Sequence, residues 1–203
     1  MSEKTIYLIR HALPAFPDGA EKMCLGRKND LPLSAKGLEQ AAALARRFEN
    51  IPLEAVYTSP LARAMQTAQA IAGDSHPLHV LDDLIELDGG AWDGLTYDQL
   101  RKLYPDSFGP HAQGGCTPGG ESDEDGLERI RRALDHVAAK THSCAAIVAH
   151  SGVNRLLLCD IAGVPLAEKK KMGQNYAAVS VLVCTDGVWA VREHTPRGSS
   201  HAI

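Results

Sequence analysis

An arginine and a histidine stand side by side at Arg10 and His11, where the apolar run IYLI ends. A second histidine, His150, follows another apolar run, CAAIVA, and precedes Ser151 and Gly152. Between them lie Arg63, in VYTSPLAR, and Glu86, in LIELDGG. An imidazole is a nucleophile or a proton carrier. A guanidinium forks onto the oxygens of an anion, and a carboxyl group can hand a proton to a departing oxygen. Each residue also has a plain structural reading: a strand cap, a turn histidine, an exposed helix arginine, one acid among Asp82, Asp83 and Asp88. The choice turns on whether the fold brings them to one place.

The elements that must position them alternate in type. TIYLIR reads as a short β-branched strand, and SAKGLEQAAALARRFEN as an amphipathic helix beginning near Ser34. EAVYTS is a second strand. The helix PLARAMQTAQAIAG follows, with Pro60 in its first turn and Gly73 at its end. LHVLDDLIEL predicts a third, shorter strand that runs into a loop. Residues 88–121 are rich in Gly, Pro and Asp with a short helix around TYDQLRKLY, which predicts a lid-like insertion over one end of the sheet. ESDEDGLERIRRALDHVAAK is a long helix, acidic at its start and basic later, as the helix dipole favours. CAAIVA is a buried strand, GVNRLLLCDIAG a helix, and AAVSVLVCTDGVWAVRE a hairpin turning near Asp186-Gly187. The tail after Glu193 reads as loose.

This order predicts a single α/β domain over residues 1–203. It would be three-layered, a mostly parallel sheet with helices on both faces and an antiparallel edge strand. Composition is ordinary for a folded domain, with 44% hydrophobic and 23% charged residues. The formal net charge of −4 argues against a nucleic-acid binder, which would carry a basic stripe. Five scattered cysteines (Cys24, Cys116, Cys144, Cys159, Cys184) form no C-x-x-C pair and no zinc spacing, and read as reduced thiols. The N-terminal residues have no signal-like apolar stretch and no segment reaches spanning length, so a cytoplasmic protein with no membrane partner is expected. Oligomeric state is left open.

Open parallel sheets bind ligands beyond the carboxyl ends of their strands. On that rule one rim collects Arg10, His11, Arg63, His150 and the carboxylate of Glu86. Helix N-termini near Ser59 and Ser151 would add backbone donors. Two arginines, two histidines and helix N-termini suit a phosphate dianion. A carboxylate at the mouth suits cleavage of a phosphate ester, whose departing alkoxide needs a proton. At a strand end, the His11 side chain is expected to face solvent.

Six stretches carry a family resemblance: LIRHALP, LGRKNDLPLSAKGLEQA, VYTSPLARAMQTAQAIA, LIELDGGAWDGLT, PGGES and AIVAHSGVNRLLL. In this order, over roughly residues 5–160, they resemble the histidine phosphatase superfamily, with the phosphoglycerate mutase-like fold. CLGRKNDLPLS and TPGGES are similar to its α-ribazole phosphatase branch. The resemblance implies that His11 is the nucleophile, forming a phosphohistidine. It implies that Arg10, Arg63 and His150 clamp the phosphate, with Ser151 and Gly152 beside them at a helix start, and that Glu86 donates the proton. It further implies a phosphatase acting on a small phosphate monoester, with no cofactor and no metal.

Two departures stand out. The usual Arg-His-Gly is Arg10-His11-Ala12, and an Asn often found a few residues later is replaced by the stretch PAFPDG. Arg27 is a further candidate to touch substrate, a solvated loop arginine being the other reading. Alternatives of other kinds are a cofactor-dependent phosphoglycerate mutase, which returns the phosphoryl group to another hydroxyl, and a non-catalytic phosphate- or phosphoprotein-binding module.

Overall fold

The computed structural model describes residues 3–17, 23–108 and 117–197. Cys116 and the middle of the 88–121 insertion lie outside the described residues. The order of elements is β1 (Lys4–Arg10), α1 (Ala35–Phe48), β2 (Val56–Thr58), α2 (Ala62–Ala72), β3 (Leu78–Val80), α3 (Tyr97–Leu103), α4 (Pro105–Phe108), α5 (Asp123–Lys140), β4 (Cys144–Ala149), α6 (Ser151–Ala162), β5 (Val179–Thr185) and β6 (Val188–Glu193). Short 3₁₀ turns occur at Asp82–Leu84, Gly90–Trp92 and Leu166–Met172.

The sheet runs β3-β2-β4-β1-β5-β6. Its first four strands are parallel, and β5 and β6 are antiparallel additions beyond β1. Strand β1 alternates cleanly. Ile6 and Leu8 pack with Ile130, Leu134, Ile147 and Leu157 on the face covered by α5 and α6. Ile9 packs with Leu44, Phe48, Ala68 and Val148 on the face covered by α1 and α2. A strand buried on both faces needs apolar residues at successive positions, which is why IYLI reads as a run.

Helix α1 shows how the local signals work. Ser34 caps it, its Oγ accepting from the Gly37 N–H at 3.0 Å and donating to Leu13 O at 3.1 Å. A Cβ on Gly37 would stand 2.0 Å from that same Leu13 oxygen, so only glycine lets the helix lie against the loop after His11. Gly37, Ala41, Leu44 and Phe48 form the buried stripe. In α5 the cap is Ser122, followed by Asp123, Glu124 and Asp125 in the first turn.

Two expectations about element ends change. Pro60 lies before α2, whose cap is Leu61. The Ser59 Oγ accepts the Leu61 N–H at 3.2 Å, and this side-chain turn holds the chain non-helical for two more residues. The tail is tied down as far as Arg197, whose N–H donates to Gly173 O at 2.6 Å. His194 Nδ1 also lies 2.8 Å from Ser180 Oγ.

Candidate active site

Strands β1 and β4 are neighbours with Arg10 opposite Ala149, so His11 and His150 emerge side by side at the same level of the sheet. The His11 N–H donates to Ala149 O at 3.0 Å, and the two imidazole centroids are 5.1 Å apart. His11 is buried, 4% exposed, where the sequence suggested a solvent-facing side chain. The cause is the segment before β5: Tyr176 lies with its ring 5.6 Å from that of His11.

Within this pocket His11 Nδ1 lies 2.7 Å from Ala12 O. A carbonyl only accepts, so Nδ1 carries the proton and Nε2 keeps its lone pair. Ala12 is itself buried, and its N–H donates to Thr67 Oγ1 at 3.1 Å. Alanine in place of the family's glycine therefore leaves the backbone fully bonded. Burial, then the charges of Arg10 and Arg63, hold the His11 imidazole well below its ordinary range. Burial, then Arg63, does the same for His150. Both rings are neutral at pH 7, the form a nucleophile requires.

Neutral acceptors hold the two arginines. Arg10 Nη1 donates to Gln174 O at 2.7 Å, and its guanidinium carbon lies 3.8 Å from the centroid of the Tyr176 ring. Arg63 is wholly buried and donates to Asn29 O at 3.1 Å and Gly26 O at 3.0 Å. Those two carbonyls are aimed by Asp93, which accepts from the Gly26 N–H, the Lys28 N–H and Asn29 Nδ2 at 3.0, 2.8 and 2.7 Å. Among the described residues, Arg10 Nε, Arg63 Nε and His150 Nδ1 are buried with no hydrogen-bond partner. His150 Nε2 is satisfied by Ser59 Oγ at 2.7 Å.

Glu86 sits differently from the sequence picture of a lone carboxylate at the mouth. It is buried at the start of α6, accepting from the Gly152 N–H at 3.0 Å on Oε2. Its Oε1 accepts from Val153 and Leu87 at 3.2 and 2.9 Å. The Gly152 donor that was a candidate for phosphate thus meets a carboxylate instead. A Cβ on Gly152 would stand 2.4 Å from Glu86 Oε1, so glycine here admits the acid. At the Ser59 end, α2 starts at Ala62, whose N–H donates to Asp30 Oδ1 at 2.7 Å.

Arg27 follows Gly26 in the chain and makes none of these bonds; its Nη2 lies 2.6 Å from Glu121 Oε2. Glu121 also receives two bonds from Arg129, at 2.9 and 2.8 Å. Arg129 Nη1 in turn donates to Asp83 O and Ile85 O, at 2.7 and 2.8 Å, pinning the segment that leads to Glu86. Sequence reasoning missed Gln174, Tyr176, Thr67 and Asp93. Asp93, just before Gly94 in GAWDG, carried the one available signal, an Asx residue in a turn.

Comparison with known proteins agrees with this geometry. The sequence model of the histidine phosphatase superfamily (branch 1) matches residues 6–195. Phosphoserine phosphatase 1 of Hydrogenobacter thermophilus is 31% identical over 186 residues, covering 87% of this chain and 85% of that protein. The solved structure of YhfR from Bacillus stearothermophilus superposes with a TM-score of 0.82 at 28% identity, over 93% of this chain and 95% of that one. The α-ribazole phosphatase of Shigella flexneri shares the fold, with a TM-score of 0.79 at 24% identity over 94% and 95% of the two chains. A buried histidine pair on adjacent strand ends, two arginines held by carbonyls and a carboxylate at a helix start accompany a family match over almost the whole chain: this protein belongs to the histidine phosphatase superfamily.

Proposed function

We propose that this chain hydrolyses a small phosphate monoester through a phosphohistidine on His11, with Arg10, Arg63 and His150 as the phosphate clamp and Glu86 as proton donor. One observation carries the reading. Buried nitrogens of Arg10, Arg63 and His150 are left without protein partners around a neutral imidazole. Buried donors are nearly always bonded, and a tetrahedral anion would bond these.

The lone pair on His11 Nε2 attacks phosphorus and a P–N bond forms. The ester P–O bond breaks, its electron pair leaves with the alkoxide, and Glu86 delivers a proton to that oxygen. Oε2 is the oxygen for this work, because it accepts one backbone N–H where Oε1 accepts two. The imidazolium charge that develops is met by Ala12 O at Nδ1. Water then attacks phosphorus and gives its proton to Glu86, the P–N electron pair returns to Nε2, and inorganic phosphate departs. Positioning and charge stabilisation do most of the work in phosphoryl transfer, as a preorganised clamp provides.

Among the described residues no helix is long and apolar enough to cross a membrane. The free, scattered thiols Cys24, Cys144, Cys159 and Cys184 support a reducing, cytoplasmic setting. The phosphoserine and α-ribazole phosphatase names belong to relatives and support only a small ester here.

The test is a short pulse with ³²P-labelled ester followed by alkaline quench. Acid-labile label on His11, with inorganic phosphate appearing as fast as alcohol, is expected. Label returned to a second hydroxyl would make the protein a mutase. Binding of phosphate with no turnover of any ester would leave a binding module.

A further inference from the structure

We propose that Gln174 is a positioning residue for the phosphate clamp: its buried side-chain amide fixes the loop whose carbonyl aims Arg10. This rests on the phosphatase reading of the pocket and adds to it a residue that acts through another.

Gln174 stands before β5 and is 1% exposed. Its main-chain oxygen accepts from Arg10 Nη1 at 2.7 Å. Its side chain grips the strand that carries Arg10. Nε2 donates to Leu8 O at 3.1 Å and to Ser180 Oγ at 3.0 Å, and Oε1 accepts from Asn154 Nδ2 at 2.9 Å. Asn154 Nδ2 lies 3.3 Å from Ile9 O as well. Leu8 O and Ile9 O only accept, so an amide flipped at either residue would set oxygen against oxygen. Asn154 and Ser180 are wholly buried, and Ser180 Oγ reaches His194 Nδ1 of the tail at 2.8 Å. One residue thus holds Arg10 twice, its guanidinium by a main-chain oxygen and its strand by an amide.

Arg10 depends on this support more than Arg63 does. Among the described residues its guanidinium donates one hydrogen bond, to Gln174 O, and otherwise meets the Tyr176 ring. Arg63 has two carbonyls. A guanidinium on a single acceptor can turn about it, so the place of that oxygen sets where the remaining nitrogens point. The loop is also one that needs holding. Ala177 has a φ of 59°, a left-handed conformation that alanine seldom takes and that persists where neighbours impose it. Its N–H donates to His11 O at 3.2 Å, so a shift of the loop would reach the backbone of the nucleophile. Bonded through Nε2 and Oε1 to three different elements, the Gln174 side chain supplies the rigidity.

The experiment is a double-mutant cycle on the full chain, with inorganic phosphate as the probe and ³¹P line broadening as the readout, which follows millimolar affinities. Gln174→Leu should weaken phosphate binding about 10- to 100-fold, the range for losing a hydrogen bond to a charged group. In an Arg10→Met background the same change should cost less than about twofold, and in an Arg63→Met background it should keep its full effect. Ser180→Ala cuts one tie and leaves those to Leu8 and Asn154, so a loss of about threefold to tenfold is expected, with the same dependence on Arg10. That variant decides the matter if thermal melts show that Gln174→Leu does not fold. A melting temperature that falls while phosphate affinity holds makes Gln174 structural only and overturns the positioning role, as do equal losses in both arginine backgrounds. Hydrolysis of nitrophenyl phosphate by the wild type separates the two claims. Turnover with an additive cycle removes the positioning role alone, and a non-additive cycle without turnover removes the catalytic reading alone. Phosphate that does not bind the wild type removes both.

Discussion

Arg63 and Arg129 are both buried arginines, and the protein holds them in opposite ways. Arg129 meets Glu121 through two nitrogens, and Arg27 adds a third bond to the same carboxylate. Arg63 donates to the carbonyls of Gly26 and Asn29, and the half-exposed Asp30 carboxylate stands off at 4.0 Å. A carboxylate fixes a guanidinium and cancels its charge. Two carbonyls fix it and leave the charge for a ligand. The first arrangement builds scaffold, the second a binding site, and the scaffold arginine serves the site indirectly by pinning the backbone before Glu86.

Glu86→Gln should slow phosphorylation of His11 by about 10²- to 10⁴-fold for sugar phosphates in single-turnover assays. Nitrophenyl phosphate, whose leaving group needs no proton, should suffer far less. Equal slowing would move the acid elsewhere, with Asp88 next. Arg63→Met should weaken competitive inhibition by phosphate or vanadate by about 1.5–3 kcal/mol. Undiminished inhibition would place Arg63 with the scaffold arginines. Glu121→Gln should show the inverse pattern: a lower melting temperature, from a loss of about 1–3 kcal/mol, with phosphate affinity held. If phosphate affinity collapsed as well, the two networks would be one.

The smallest effect is on pH. Burial first, then guanidinium charge, depresses both histidines below the ordinary 6.5, so between that value and the folded one the unfolded chain binds more protons. Stability is therefore full above pH 6.5 and is lost as pH falls through it. Urea midpoints should drop from pH 7 to 5.5, and less steeply in His11→Gln. An identical slope in the variant would show that His11 does not contribute.

Much of this was legible because strand ends announce themselves. Apolar runs stopping at Arg10-His11 and at His150 marked one rim, and the alternation of elements made those strands parallel members of one sheet; that they are neighbours comes from the strand order. What stayed hidden was the means of support. Gln174 and Tyr176 sit in GQNYAA, which has no periodicity, and they act on Arg10 across more than 160 positions of chain. The burial of His11 depends on that same distant segment. Nothing local says that Glu86 will occupy the Gly152 and Val153 amides of α6.

The parallel register of β1 and β4 has one more consequence. The spacing of the two histidines comes from the separation of hydrogen-bonded strands, about 4.8 Å, which no side chain sets. That dimension is a property of the polypeptide itself, common to every sheet. Loops and tail can diverge, lengthen or exchange charges while it stays constant. Evolution, or an engineer, can thus rewrite the range of accepted molecules without having to find the reactive geometry again.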